Sequence, residues 1–369
     1  MKIDRIELRE VAMRLKFPFR TSFGVERDRR IMLVSVQSGG LTGMAECTAG
    51  EFPGYSYETV ETAWHVISDF IAPTLVGHDF ATPAELLHAL RYVRGHNMAV
   101  AAVEMAFWDL QARALGVPLW QLLGGRLRPI PVGISLGIQD SIEETVDLAR
   151  HNAALGYRRV KLKIEPGWDV EPVAAVRAAL PDIELTVDAN SAYRLNDAPR
   201  LLELDDLRLT YIEQPLAYDD LVDHAELQAQ LSTAICLDES VHSPEDARKG
   251  LAIGAGRVIN VKTGRVRGLL AARAVHDVAR TFGAPVWCGG MLESGVGRAH
   301  NLHVSTLENF TLPGDTSSAS RYWTEDIVEQ PLEAVNGVQT VPEGPGTGVT
   351  LRDDLVARLT RRTQVLKPA

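Results

Sequence analysis

Apolar and polar positions along this chain follow two rhythms in succession. From Met1 to about residue 45 they alternate as in strands: Ile3, Ile6 and Leu8 lie in one extended run, and Ile31 to Val36 and Gly43 to Glu46 follow, parted by a turn at Gly39-Gly40. From Ser56 to about Leu123 the spacing becomes helical. Its clearest stretch, Met98 to Ala114, sets Val100, Val103, Met105, Phe107 and Leu110 at near-helical intervals, and Gly116 and Pro118 close it. Past Gly124-Gly125, short apolar runs alternate with amphipathic segments. The runs are Val132 to Ser135, Val160 to Ile164, Leu185 to Asp188, Leu209 to Glu213, Ile235 to Asp238, Val258 to Lys262 and Pro285 to Cys288, with a last strand expected near Phe310. Ser141 to Ala154, Pro172 to Leu180 and Leu270 to Thr281 supply helices between them. Strict alternation of strand and helix implies a parallel sheet, and seven or eight units imply closure into a barrel.

Five of these runs end in an ionisable residue: Lys163, Asp188, Glu213, Asp238 and Lys262. The gaps are 188−163 = 25, 213−188 = 25, 238−213 = 25 and 262−238 = 24. That repeat is the length of one strand, loop and helix, so each residue marks the carboxyl end of a successive barrel strand, where barrel active sites lie. With Val132 to Ser135 as the first strand, the lysines end strands two and six on opposite walls. The three carboxylates fill the arc between them. One acidic residue at a strand end is more often a helix cap or a surface group; five in a fixed register are not explained that way.

Three converging carboxylates need a cation to stay ionised. An all-oxygen donor set favours Mg²⁺, with Mn²⁺ or another divalent cation as the alternative, over Zn²⁺. Lysines on either side of the α-carbon of a bound carboxylate could remove its proton and return it, which is racemisation. The same enolate could expel a β-leaving group, which is dehydration. Lys161 shares a strand face with Lys163 and, as a second cation, favours its neutral, basic form. Asn190, two residues past Asp188, is counted among the substrate contacts. Glu239 follows Asp238 and is expected to point the other way, backing the site or serving structure alone.

Composition narrows the picture. With 369 residues there is room for a barrel and a smaller domain. A net charge of −10 without a basic stripe argues against nucleic acid, and no apolar run reaches membrane-spanning length. Cys47, Cys236 and Cys288 show neither pairing nor metal-ligand spacing, which makes a reducing cytoplasm the expectation. The expected fold class is α/β: a TIM-like (β/α) barrel over residues 126–320, an α+β capping domain over 1–125, and a tail over 321–369 that packs back on the cap.

The local sequences Lys161-Leu162-Lys163, Val187-Asp188-Ala189-Asn190, Ile212-Glu213-Gln214-Pro215, Leu237-Asp238-Glu239-Ser240 and Asn260-Val261-Lys262 closely resemble those of the enolase superfamily, in its muconate-lactonising-enzyme-like subgroup. The resemblance implies that Lys163 and Lys262 are the acid/base pair and that Asp188, Glu213 and Asp238 bind the metal. The stretches Gly156 to Asp169, Trp287 to Gly295 and Pro313 to Ser318 bring the chain nearest to N-acylamino acid racemases, which are similar to o-succinylbenzoate synthases. Such kinship implies a small carboxylate substrate, N-succinyl amino acids foremost, and a homo-oligomer, with an octamer as the expected form, as the assembly. It also implies that capping loops carrying Phe19, Phe23 and Tyr55 form an apolar wall for the substrate side chain. Ser135, Gly290 and Met291 would line the N-acyl pocket, with Tyr322 and Trp323 at its rim. Two branches of the superfamily remain as further readings: a dipeptide epimerase, for which Glu51 is the candidate acidic contact, and a metal-binding barrel without turnover. One departure is Thr263, where the family commonly has proline after the second lysine; it leaves the lysine in place.

Overall fold

The computed structural model describes residues 1–368. Three long strands open the chain: β1 (Arg5–Thr21), β2 (Gly24–Ser38) and β3 (Leu41–Cys47). Short helices then lead to the helix Asn97–Leu115. The barrel strands are preceded by β4 (Ile130–Pro131) and run β5 (Ile134–Leu136), β6 (Arg159–Lys163), β7 (Glu184–Asp188), β8 (Tyr211–Glu213), β9 (Ala234–Leu237), β10 (Val258–Val261) and β11 (Val286–Cys288). The tail contributes β12 (Val338–Gln339), paired with β4, and β13 (Thr360–Leu366).

The first sheet is antiparallel in the order β13-β1-β2-β3, so the end of the chain pairs with its beginning. Its inner face packs on the helix Asn97–Leu115. That helix is buried nearly all round, Glu104 and Asp109 included, because the sheet covers one side and the barrel the other. Gly116 ends it in the left-handed conformation at φ 69°, with Val117 N donating to Ala112 O at 3.0 Å, a glycine-dependent C-terminal cap. Gly43 of β3 lies against this helix. A Cβ there would sit 2.1 Å from Ala106 O and 2.3 Å from Leu110 N, both backbone atoms that cannot step aside. Gly43→Ala is therefore expected to cost about 1–3 kcal/mol or more by overpacking, read as a lowered thermal midpoint.

The second sheet is parallel in the order β5-β6-β7-β8-β9-β10-β11 and curls into a barrel. The strand expected near Phe310 is reduced to isolated bridges: Phe310 to Val286 on β11, and Gly314 to Val132 just before β5. Pro313 has no N–H to give a ladder, so the ring closes here through single contacts. Val132 is drawn into this closure, and the first barrel strand begins at Ile134 rather than at Val132.

Two buried glutamates of the cap hold it to the barrel through helix N-termini. Glu104 accepts from Leu269 N and Leu270 N at 2.8 and 3.0 Å. Glu46 accepts from Ser294 N, Ser294 Oγ and Gly297 N at 3.0, 2.6 and 3.3 Å. Free N–H groups at a helix start welcome an acceptor. Burial and the neighbouring Glu293 nevertheless push the Glu46 carboxyl up to about 8. An acid whose folded value is raised stabilises the fold below its unfolded value of 4.5, and that contribution is lost as pH climbs to about 8. Glu46→Gln keeps an acceptor for Ser294 without the charge. Its thermal midpoint should gain on the native protein steadily between pH 5 and 8.

Candidate active site

Sheet register explains how the repeat converges. Lys163 of β6 lies beside Asp188 of β7, and Asp188 beside Glu213 of β8. Glu213 pairs with Cys236 of β9, so Asp238 sits two residues farther along, on the same face. Lys262 directly follows β10. All five are at the carboxyl mouth of the barrel, and the three carboxylates are almost fully buried.

Charges pair closely around this ring. Lys163 Nζ donates to Asp188 Oδ2 and to Asn190 Oδ1, both at 2.6 Å. Lys161 Nζ lies 2.7 Å from Glu213 Oε2, 3.4 Å from Asp188 Oδ2 and 3.1 Å from Asp315 Oδ2. Lys262 Nζ is 2.8 Å from Asp238 Oδ2 and 4.1 Å from the centre of the Tyr55 ring. Burial opposes the charged form of Lys161, but Asp315, Glu213 and Asp188 outweigh it and hold its proton firmly. Lys262 is likewise held protonated against burial by the groups around it, Tyr55 and Glu239 foremost. Burial would raise Asp188, yet Lys163 and Lys161 keep it well below the ordinary carboxylate range. Glu213 is pushed up, first by burial and then by the charge of Asp188.

Local backbone sets these directions. Asn190 adopts φ 43°, a left-handed conformation that asparagine tolerates, which turns its amide back toward the ring. Its Nδ2 donates to Glu239 Oε1 at 3.0 Å. Glu239 therefore does not point away from Asp238 as strand alternation predicts. β9 ends at Leu237, a turn begins with Val241 N bonding to Asp238 O, and the Glu239 carboxylate faces the cluster. Burial and Asp188 push it up to about 7.

Several residues at the site did not stand out in the sequence. Asp315 accepts from Ser135 Oγ at 2.9 Å and from Arg159 Nη2 at 2.7 Å besides its contact with Lys161. Arg265 pairs with Asp238 and donates to Val241 O at 2.7 Å. Asn260 Nδ2 donates to Glu213 Oε1 at 2.7 Å. Asn260 could have been found, since it precedes Lys262 by two residues as Lys161 precedes Lys163. Asp315 and Arg265 lie in loops without a repeat to flag them.

Over the ring lies a chamber of about 390 Å³ that both Lys163 and Lys262 line. Phe19 and Phe23 wall it from the cap, and Gly290 and Met291 from the barrel. The β1–β2 hairpin is closed down: Ser22 Oγ donates to Ala189 O at 3.0 Å, and Arg20 Nη2 meets Glu165 Oε1 at 3.0 Å. Tyr55 does more than offer an apolar wall, because its hydroxyl donates to Asp238 Oδ1 at 3.0 Å. Ser135 lines a narrower recess of about 60 Å³ that shares Lys163, Lys262 and Phe19 with the chamber, and Tyr322 lines the recess too. Trp323 is buried, its indole N–H bonded to Glu293 O at 3.1 Å. Glu51 is exposed and outside the chamber; the acids that line it are Glu26, paired with Arg29, and Glu58, bonded to Met98 N and Ala99 N.

Among the described residues, no three acidic, imidazole or thiol side chains are gathered tightly enough to hold a metal ion, since each carboxylate of the triad is turned to a lysine or arginine. The donor set still fits one. Asp188, Glu213 and Asp238 offer only oxygen, stand on neighbouring strands, and include two buried carboxylates that repel each other.

Known proteins share this architecture. Residues 4–124 match the N-terminal domain of the mandelate racemase / muconate lactonizing enzyme family, and residues 144–355 match the enolase C-terminal domain-like family. An N-succinylamino acid racemase of Thermus thermophilus is 53% identical over 98% of both chains. An o-succinylbenzoate synthase of Geobacillus kaustophilus is 50% identical over 98% of this chain and 96% of its own. The crystal structure of an enolase-superfamily member from Listeria innocua superposes with a TM-score of 0.96 at 38% identity, covering 100% of this chain and 99% of that one. No described helix is long and apolar enough to cross a membrane. Domain matches at both ends, relatives aligned along nearly the whole length and a lysine–carboxylate ring at the barrel mouth lead to one conclusion: the chain belongs to the mandelate racemase / muconate lactonizing enzyme group of the enolase superfamily.

Proposed function

We propose that this protein racemises N-acylated amino acids, N-succinyl amino acids foremost, by moving the α-proton between two lysines. The observation that carries this reading is that Lys163 and Lys262, four strands apart in the barrel order, line one chamber. An α-carbon held between them presents one face to each. One amine takes the proton and the other, as an ammonium, supplies one from the far side. Asn190 orients Lys163, while Tyr55 and Asp238 orient Lys262. Phe19 and Phe23, with the β1–β2 hairpin down, exclude water from the exchange.

Asp188, Glu213 and Asp238 are the residues that would hold a divalent cation, Mg²⁺ foremost. When bound, it would supply Lewis-acid stabilisation of the substrate carboxylate as negative charge builds there. A homo-oligomer is the expected assembly, which sedimentation would measure.

A second reading is o-succinylbenzoate synthase activity. It is favoured by the 50% identical relative of that name, and it would use Lys262 as a cation that steadies an enolate while Lys163 acts as base. The deciding experiment follows N-succinyl-L-phenylalanine and its D-isomer with Mg²⁺ in D₂O, by proton NMR and optical rotation. Exchange of the α-hydrogen in both isomers with loss of rotation is the expected result. Absence of exchange, with dehydration of the synthase substrate, would replace the racemase reading by the synthase.

A further inference from the structure

Strand β6 carries three cations on one face. Arg159, Lys161 and Lys163 alternate along it, so the two lysines at the barrel mouth have a third cation one layer deeper. Arg159 is fully buried. Its Nη2 donates to Asp315 Oδ1 at 2.7 Å and to Pro313 O at 3.0 Å, while its Nε and Nη1 have no partner. Asp315 is its salt-bridge partner. A buried ion pair is poor evidence for stability, and unmet N–H groups make this one costly. The surroundings are nevertheless cut to admit it: a Cβ on Gly133 would lie 2.3 Å from Arg159 Nε and 2.6 Å from its Cζ.

The guanidinium divides a charge. Burial would raise the Asp315 carboxyl, yet Lys161 and Arg159 hold it far below the ordinary carboxylate range, so it stays ionised. One of its oxygens meets Arg159, and the other lies 3.1 Å from Lys161 Nζ. That ammonium is drawn the other way by Glu213 at 2.7 Å and Asp188 at 3.4 Å. Both cations also stand over the indole of Trp287, Lys161 Nζ at 4.5 Å and Arg159 Cζ at 5.2 Å from its ring centre. Without the guanidinium, the whole charge of Asp315 falls on Lys161 and pulls it away from Glu213. Lys161 lines the recess that Lys163 and Lys262 also line. A fixed ammonium there stabilises negative charge as it builds on the substrate carboxylate.

We propose that Arg159 is a positioning residue for the reaction: by sharing Asp315 it keeps the Lys161 ammonium seated beside Glu213 and Asp188, at the recess. The consequence for turnover rests on the proton-transfer reading above. It is the same for racemisation and dehydration, because both pass through the enolate.

The test is Arg159→Met, which fills similar space without the charge. Its crystal structure should show Lys161 Nζ more than about 3.5 Å from Glu213, beyond hydrogen-bond reach. Turnover, kcat, should fall about 10²-fold, as for a group misplaced by about 1 Å, with KM within about 3-fold of native. The fall should be equal for both enantiomers, which share that carboxylate. Arg159→Lys should restore part of it. Gly133→Ala keeps every charge and crowds the guanidinium; it should reproduce the fall, and it decides where Arg159→Met does not fold. Lys161 in its native position in Arg159→Met overturns the proposal. So does native kcat with only a lowered thermal midpoint, because Arg159 would then merely fill the barrel. If the native protein neither exchanges the α-proton nor dehydrates the synthase substrate, the reading above falls, while a displaced Lys161 leaves Arg159 assigned.

Discussion

Lys163→Ala should lose racemisation by about 10³-fold or more, within the range of a missing general acid–base group, and yet still exchange the α-proton of one enantiomer. The reason is spatial. Lys163 ends β6 and Lys262 follows β10, so each addresses one face of an α-carbon in the chamber between them. With Lys163 absent, Lys262 can still remove and return a proton on its own face, and deuterium enters with retention. Lys262→Ala should show the mirror result, labelling the other enantiomer. Incubating each variant with each enantiomer in D₂O gives four spectra, and the pattern must be complementary. Labelling by Lys262→Ala alone, with none by Lys163→Ala on either enantiomer, would mean that one lysine does all the proton transfer, as the synthase reading has it. Lys163 also neutralises Asp188 at 2.6 Å, so part of any loss in Lys163→Ala reflects a disturbed carboxylate. The retained exchange is what separates the lost base from a collapsed site.

Much of this arrangement is legible in the chain because barrel geometry writes itself as a period. A residue at the carboxyl end of each strand recurs whenever strand, loop and helix keep their lengths, and from Lys163 to Lys262 they do. The capping sheet and its long helix were equally open to reading, since Gly116 and the alternation in β1 to β3 are local signals. What the period could not show is whatever enters from loops. Asp315 reaches Lys161 from the segment that closes the barrel by single bridges, a segment too short in hydrogen bonds to look like a strand. Arg265 meets Asp238 because the turn after Lys262 folds back, with Val266 N bonded to Lys262 O. Glu239 misled for the opposite reason. Alternation is a rule for strands, and the strand had already ended two residues earlier.

Glu213→Gln should abolish both turnover and the stabilisation that Mg²⁺ confers. Glu213 is the middle carboxylate of the three and is fully buried. Its two oxygens now serve Asn260 and Lys161, each at 2.7 Å. A glutamine of the same volume can still accept from Asn260, but its amide N–H would face the Lys161 ammonium. Without metal, that loss is offset by relief of the repulsion that Asp188 exerts on Glu213, so the two proteins should melt within a few degrees of each other. With metal they should part. A cation bound only by the folded state raises its stability by about 2.7 kcal/mol at a hundred times the dissociation constant, and a triad reduced to two carboxylates forfeits most of that gain. The check is a melting curve of each protein with and without Mg²⁺, beside calorimetric titration of the metal. If Glu213→Gln kept the native rise in midpoint, the cation would be held elsewhere and the three-carboxylate assignment would fall. If the rise were lost while proton exchange continued, the triad would bind metal for stability alone, and the lysines would work without it.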